Sequence, residues 1–172
     1  MGMTPTQFLE SFVEGNKYDC EENPGDVRRA FNAAVSASHF ADHYFEFSRR
    51  NNPNAVKEFP GIGMFVEHVS SKTSGAFRDV RSIANAYKHL YTDAASKYGA
   101  HSHVNSCGSI EAIELTGDEA LSGLFEEYFK GSEGCVARTA VMFTRKDKTK
   151  AEFLPALKAT VEYWRELIYD RA

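Results

Sequence analysis

The chain has 172 residues, of which 42% are hydrophobic and 26% charged, and its formal net charge is −4. This length and composition fit one domain with its own hydrophobic core and exclude an intrinsically disordered chain. The negative charge disfavours a nucleic-acid partner unless basic residues gather locally. Three scattered cysteines exclude a disulfide framework. We therefore expect a single domain over residues 1–172, located in the cytoplasm, with no signal peptide and no membrane span.

A short first helix is predicted to begin after Thr4. Thr4 and Gln7 have the spacing of a capping box, and Pro5 occupies the first helical position. One face of this helix is apolar, formed by Phe8, Leu9, Phe12 and Val13. Gly15 is the predicted end of the helix.

The stretch from Asp26 to Arg50 predicts the central helix of the molecule. It is the longest helical pattern in the chain and is apolar on most of its circumference, which is typical of a helix inside a bundle. One narrow polar stripe follows it at steps of three and four residues, formed by Asn32, Ser36, His39, His43 and Glu46.

Two further helices are predicted between the central helix and residue 99. The first is short and is marked by Ile62, Phe65, Val66 and Val69. The second is long and runs from Gly75 to about Tyr98, with Gly99 as its end. Its apolar side is formed by Phe77, Val80, Ala84, Tyr87 and Tyr91.

The pattern changes after residue 99. Ile110 to Leu115 and Cys135 to Thr144 have strand character, and residues 131–134 have the composition of a hairpin turn. They predict a small antiparallel sheet on one side of the bundle, within a β-rich insertion over about residues 103–145. The segment 118–130 fits a strand or a helix equally well.

The last helix is predicted from a capping box formed by Thr149 and Glu152. Pro155 conflicts with a regular helix from residue 150, so the helix either kinks there or begins near it. Its core face consists of Phe153, Leu157, Val161, Trp164 and Ile168. The predicted fold class is mainly α, a bundle of four to five helices with a small antiparallel hairpin or sheet after residue 99.

The first candidate for chemistry is the cluster of His39, Asp42 and His43 on the central helix. Two histidines four residues apart share a helix face, and they could hold one metal ion with a further ligand from another helix. The alternative is a solvated stripe, or histidines bonded to neighbouring helices. An HxxxH pair alone favours that alternative, so we expect no bound metal.

The second candidate is the polar stripe of the second long helix, formed by Arg78, Ser82, Asn85 and His89 with Arg81 and Lys88 beside it. The simplest interpretation is the water-facing side of an amphipathic helix. Alternatively, these side chains could hold a phosphate and act on an adjacent hydroxyl. If this stripe faces that of the central helix, Asp42 is expected to pair with Lys88 or His89.

The third candidate combines His101, Ser102 and His103 with Cys107. It lacks the second pair of ligands that a structural zinc site needs. The chain also contains no phosphate loop, dinucleotide fingerprint, nucleophile elbow or HExxH motif, so we expect no cofactor.

The segments "SHFADHYF" and "FRDVRSIANAYKHL" resemble a group of uncharacterised bacterial and phage proteins. Those proteins pair an HLxDW-like helix with a DIANAxKH-like helix and end in a strand section and a tryptophan-containing helix. The matching positions, within about residues 26–170, are His39, Asp42, Asn85, Lys88, His89 and Trp164.

That group is in turn distantly similar to the HEPN helical domains, many of which are RNases or nucleotide-binding partners in toxin–antitoxin and phage-defence systems. Active members have an arginine followed by a histidine after four to six residues, whereas seven residues separate Arg81 from His89 here. One added residue turns a helical side chain by about 100°.

The resemblance therefore implies a non-catalytic HEPN-like binding or interaction module. Its partner would be RNA, a nucleotide or a protein, and the family often forms homodimers. The alternative is a metal-independent RNase that uses His89 with Arg81 or Arg78, supported by Asn85 and Lys88.

Overall fold

The computed structural model describes residues 2–88, 102–116 and 137–170, which form a helical bundle with a small sheet on one side. The helices are α1 (Pro5–Phe8), α2 (Gly15–Glu22), α3 (Val27–Asn51), α4 (Ile62–Lys72), α5 (Ala76–Lys88) and α6 (Phe153–Arg165); the strands are β1 (Ile110–Thr116), β2 (Ala137–Thr144) and β3 (Lys150–Glu152). The predicted mainly helical fold with a small antiparallel sheet is confirmed. The far end of the second long helix, the 118–130 segment and the 131–134 turn lie outside the described residues.

The chain enters the bundle as one helical rod over residues 5–22, called here the N-terminal helix. The predicted capping box is confirmed, because the Gln7 N–H donates to Thr4 Oγ1 at 3.2 Å and the Thr4 N–H donates to Gln7 Oε1 at 2.9 Å. A π-helical segment, Leu9–Glu14, links α1 to α2. The predicted end at Gly15 is wrong, since Gly15 keeps a helical φ of −59° and never turns left-handed.

Helix α3 is the central element, as predicted. Asp26 caps its N-terminus, and Asp26 Oδ1 accepts from the N–H groups of Arg28 at 2.9 Å and Arg29 at 3.2 Å. Trp164 of α6 is fully buried against this helix, where its Nε1–H donates to the Ala37 carbonyl at 3.2 Å. The N-terminal helix, α4, α5 and α6 all contact α3.

The three strands form one antiparallel sheet in the order β1-β2-β3. Ile110 lies opposite Phe143 and Thr116 opposite Ala137, and β3 adds a short edge to β2. Ile110, Val141 and Phe143 join the main core, so the sheet packs on the bundle as predicted. At Gly25 the turn before α3 approaches β2 so closely that a Cβ atom there would overlap the Thr139 side chain.

The start of the last helix differs from the prediction. The backbone of residues 150–152 is paired with β2, so Thr149 cannot cap a helix, and α6 begins at Phe153. Pro155 therefore stands in the first turn, where its missing N–H would have no helical partner in any case. Of the two alternatives left by the sequence, the helix begins near Pro155.

Across the described ranges, no helix is both long enough and apolar enough to cross a membrane.

The cap of α3 predicts a pH effect on stability. Hydrogen bonds from the Arg29 and Arg28 N–H groups lower the pKa of Asp26. A lowered pKa adds stability above the pKa of the unfolded chain, near 4, and this stability is lost as the pH falls through the lower folded value. Asparagine also caps helices but does not titrate. We therefore expect Asp26→Asn to melt close to the wild type at pH 7 and to lose less stability between pH 5 and pH 2. Thermal melts at these three pH values measure this, and equal losses in both proteins would contradict it.

Candidate functional site

Helices α3 and α5 are bridged by Arg81, which lies beside the predicted α5 stripe, and Asp42 of the predicted α3 cluster. Arg81 Nη1 and Nη2 donate to the two carboxylate oxygens of Asp42 at 3.3 and 3.4 Å, and Nη1 also reaches Ser38 Oγ at 3.4 Å. The predicted partners of Asp42 were Lys88 or His89. Lys88 is exposed at the end of the described part of α5, and His89 lies outside the described residues. Asp42 and Arg81 therefore form a bridge between two helices.

The other α5 residues do not form one water-facing stripe. Arg78 pairs with Glu67 of α4, away from the bridge to α3. Ser82 is 1% exposed and donates to the Arg78 carbonyl at 2.7 Å, so its predicted place on the water-facing side is wrong. The cause is the segment before β1, which covers this side of α5: the His103 N–H donates to Ser82 Oγ at 2.8 Å. Asn85 is half-buried.

The two histidines of α3 lie in different surroundings. The His43 ring stacks on Phe8 at 4.9 Å between centroids, and its Nε2 lies 3.0 Å from the Met3 carbonyl. His39 is exposed. Asp42, the third member of the predicted cluster, is held by Arg81. Within the described ranges, no group of three or more histidine, cysteine, aspartate or glutamate side chains is arranged to hold a metal ion.

Three of the five residues of the predicted α3 stripe, Asn32, Ser36 and His39, instead line a groove. This aromatic groove has a volume of about 340 Å³ and is lined by Phe8, Phe12, Asn16, Asn32, Val35, Ser36, His39 and Tyr87. The N-terminal helix supplies three of these residues, α3 four and α5 one. The groove is therefore built by three elements, of which the N-terminal helix and α5 both pack on α3.

Two aromatic rings of the groove are strongly exposed. Phe12 is 45% exposed and Tyr87 61% exposed, although each makes a tilted contact with a neighbouring ring: Phe12 with Phe8 at 5.3 Å and Tyr87 with Phe31 at 5.0 Å between centroids. The sequence prediction placed both rings on apolar core faces. Rings that are held in place yet exposed beside amide and imidazole groups can receive a flat, polar ring by stacking.

A second cleft lies between the start of α5 and the turn that joins β2 to β3. It has a volume of about 610 Å³ and is lined by Ser74, Gly75, Asp79, His103, Arg145, Lys146, Asp147 and Thr149. Of these residues, the sequence pointed only to His103. Its predicted companions have other roles: Ser102 is buried and donates to the Val104 carbonyl, Cys107 is exposed in a short helical turn, and His101 lies outside the described residues.

Asp79 is the centre of this second cleft. It is 5% exposed, and its carboxylate accepts from Arg145 Nε at 3.0 Å and Arg145 Nη2 at 2.6 Å. His103 Nδ1 lies 3.3 Å from the same carboxylate. The hydrogen bonds that Arg145 donates to Asp79 raise the pKa of Arg145, so this guanidinium stays charged. The sequence carried no clear signal for the burial of Asp79, because this residue lies about 100° round the helix from Val80, off the predicted apolar side of α5. Its partner, 66 residues away, was not predictable from spacing.

No protein-family model, no curated protein and no solved structure matches this chain.

Proposed function

We propose that the chain is a non-catalytic, HEPN-like binding module, and that it holds a nucleotide or a base of single-stranded RNA in the aromatic groove. The observation that carries this proposal is the exposure of Phe12 and Tyr87, 45% and 61%, in a groove that also contains polar side chains. Exposed rings of this size cost free energy in water, and that cost is recovered when another flat ring covers them.

The groove has the composition of a site for a heterocyclic base. Phe12 and Tyr87 offer stacking faces, which every base accepts. The amides of Asn16 and Asn32 and the imidazole of His39 offer donors and acceptors for the base edge. A volume near 340 Å³ is at the small end of ligand pockets, which suits a base with its sugar and phosphate outside. Exposed Lys88, next to Tyr87, adds a positive charge for that phosphate.

The absence of catalysis is proposed from the arginines. A HEPN-type RNase needs an arginine that is free to hold the phosphate beside its histidine. Here Arg81 contacts Asp42 of α3 and Arg78 contacts Glu67 of α4, so the two candidate arginines are directed to different neighbouring helices. Neither has the four-to-six-residue spacing to His89 that active members of the family share. The RNase alternative, with His89 as general acid and base, is therefore the less favoured one.

Binding of adenosine monophosphate and of a dye-labelled single-stranded RNA tests the proposal. We expect Phe12→Ala and Tyr87→Ala each to weaken binding by about tenfold, because one stacked base contributes about 1–3 kcal/mol. Tyr18→Ala is the matched control, since Tyr18 is 60% exposed on α2 and does not line the groove. It should leave the affinity unchanged.

Three results would contradict the proposal. One is that the folded chain binds neither adenosine monophosphate nor the RNA, which would favour a protein as its partner. Another is an equal loss of affinity in the Tyr18 variant, which would indicate non-specific stacking. The third is RNA cleavage that survives EDTA and disappears in His89→Ala, which would establish the RNase. Light scattering on the same samples tests the expected homodimer.

A further inference from the structure

We propose that the cleft around Asp79 is a second ligand site, which binds the phosphate group of a small molecule through Arg145 and His103. This site is separate from the aromatic groove, since the two share no lining residue. The two proposals can therefore be tested independently.

The first step concerns Arg145. A guanidinium has five N–H groups. Three are engaged here, two by Asp79 and one by Thr149 Oγ1 at 3.2 Å. The remaining two, one on each terminal nitrogen, have no partner among the described residues. Arg145 lines the cleft with its side chain 29% exposed. A guanidinium with one edge anchored and two N–H groups remaining is prepared for two-point contact with an oxyanion.

The second step concerns His103. Its Nδ1 is directed to Asp79, which leaves the other ring nitrogen, Nε2, for a ligand, and the side chain as a whole is 37% exposed. The backbone is fixed on both sides, because the His103 N–H donates to Ser82 and the Lys146 N–H donates to the His103 carbonyl at 2.7 Å. The ring is thus held in place at the edge of the cleft.

The third step concerns charge. Two carboxylates line the cleft, and both are satisfied by protein groups. Asp79 is bonded by Arg145 and His103, and Asp147 accepts from the Thr149 N–H at 2.9 Å and from Thr149 Oγ1 at 2.7 Å. These bonds lower the pKa of Asp147. With both carboxylates occupied by protein groups, Arg145 and Lys146 supply two positive charges to the cleft lining, which favour an anion.

The fourth step selects phosphate. Arg145 Nε and His103 Nδ1 both bond to Asp79 Oδ1, so the two donor groups lie side by side. They approach from different parts of the chain, the β2–β3 turn and the segment before β1. A phosphate monoester has three terminal oxygens, enough to take two bonds from Arg145 and one from His103. A carboxylate has only two oxygens with which to accept these three bonds. Asp79 is then a positioning residue, which orients both donors without touching the ligand.

Titration of the full chain with inorganic phosphate, followed by ¹⁵N–¹H NMR at constant pH and ionic strength, tests this site. We expect saturable shifts at Ser74, Gly75 and residues 145–149. Affinity should fall about fivefold in His103→Gln and about tenfold in Arg145→Lys, which keeps the charge but loses the fork. Lys148→Gln is the control, because Lys148 is an exposed cation of the same turn that does not line the cleft. Its affinity should stay within about twofold of the wild type.

Two results would overturn the proposal: chemical shifts that do not saturate, or a loss of phosphate affinity in Lys148→Gln as large as in Arg145→Lys. Either would mean that phosphate is only attracted to the positive charges of the turn. Acetate that binds as tightly as phosphate would overturn the choice of phosphate. If Arg145→Lys fails to fold, the wild-type titration and His103→Gln still decide the outcome.

Discussion

Asp79→Ala should lower the free energy of unfolding by about 3 kcal/mol. The substitution removes a buried carboxylate that accepts from Arg145 and His103 and ties α5 to both the β2–β3 turn and the segment before β1. It leaves the Arg145 guanidinium facing a gap. Urea unfolding followed by circular dichroism measures the change.

Asp42→Ala is the matched control for this prediction. Asp42 also receives two bonds from one arginine, but at 3.3 and 3.4 Å, and its side chain is 45% exposed, against 7% for Asp79. Water can replace its contacts, so we expect a loss below about 1 kcal/mol. Equal losses in the two variants would contradict the view that the Asp79 cluster fastens the sheet to the bundle.

Trp164→Ala should have the largest effect of any single substitution considered, about 4 kcal/mol. Trp164 is fully buried, and its ring packs on Phe40 at 4.9 Å and on Phe77 at 5.1 Å, so it joins α3, α5 and α6. Alanine would leave a large cavity where three helices meet. The same unfolding experiment measures this loss.

Tyr169→Ala is a suitable comparison from the same end of the chain. Tyr169 is 52% exposed and bonds only to Glu10 at 3.0 Å in the described part of the molecule. We expect it to cost less than about 1 kcal/mol. A loss for Trp164→Ala that is no larger than this would mean that the three helices do not share one core.

The sequence predicted those parts of the fold that depend on neighbouring residues. The capping box of Thr4, the start of α3 at about Asp26 and the core position of Trp164 all follow from short-range patterns. The position of the third strand was not predicted, because Lys150–Glu152 is short and owes its structure to pairing with β2. An edge strand of three residues leaves no periodic pattern to recognise.

The candidate sites were less predictable because both depend on packing between distant segments. Phe12 was expected in the core, but only Leu9 and Val13 on that apolar face are buried, and Phe12 lies at its edge. Asp42 was expected to pair further along α5 than it does, since its partner depends on how α3 and α5 cross. Asp79 and Arg145 meet only after the sheet has packed on the bundle.

The most direct test of the binding-module proposal is a map of contacts between adenosine monophosphate and the protein by intermolecular nuclear Overhauser effects. The proposal predicts cross-peaks from the base protons to the rings of Phe12 and Tyr87 and to the side-chain amides of Asn16 and Asn32. Cross-peaks at Tyr18 in place of the groove, or none at saturating nucleotide, would contradict it.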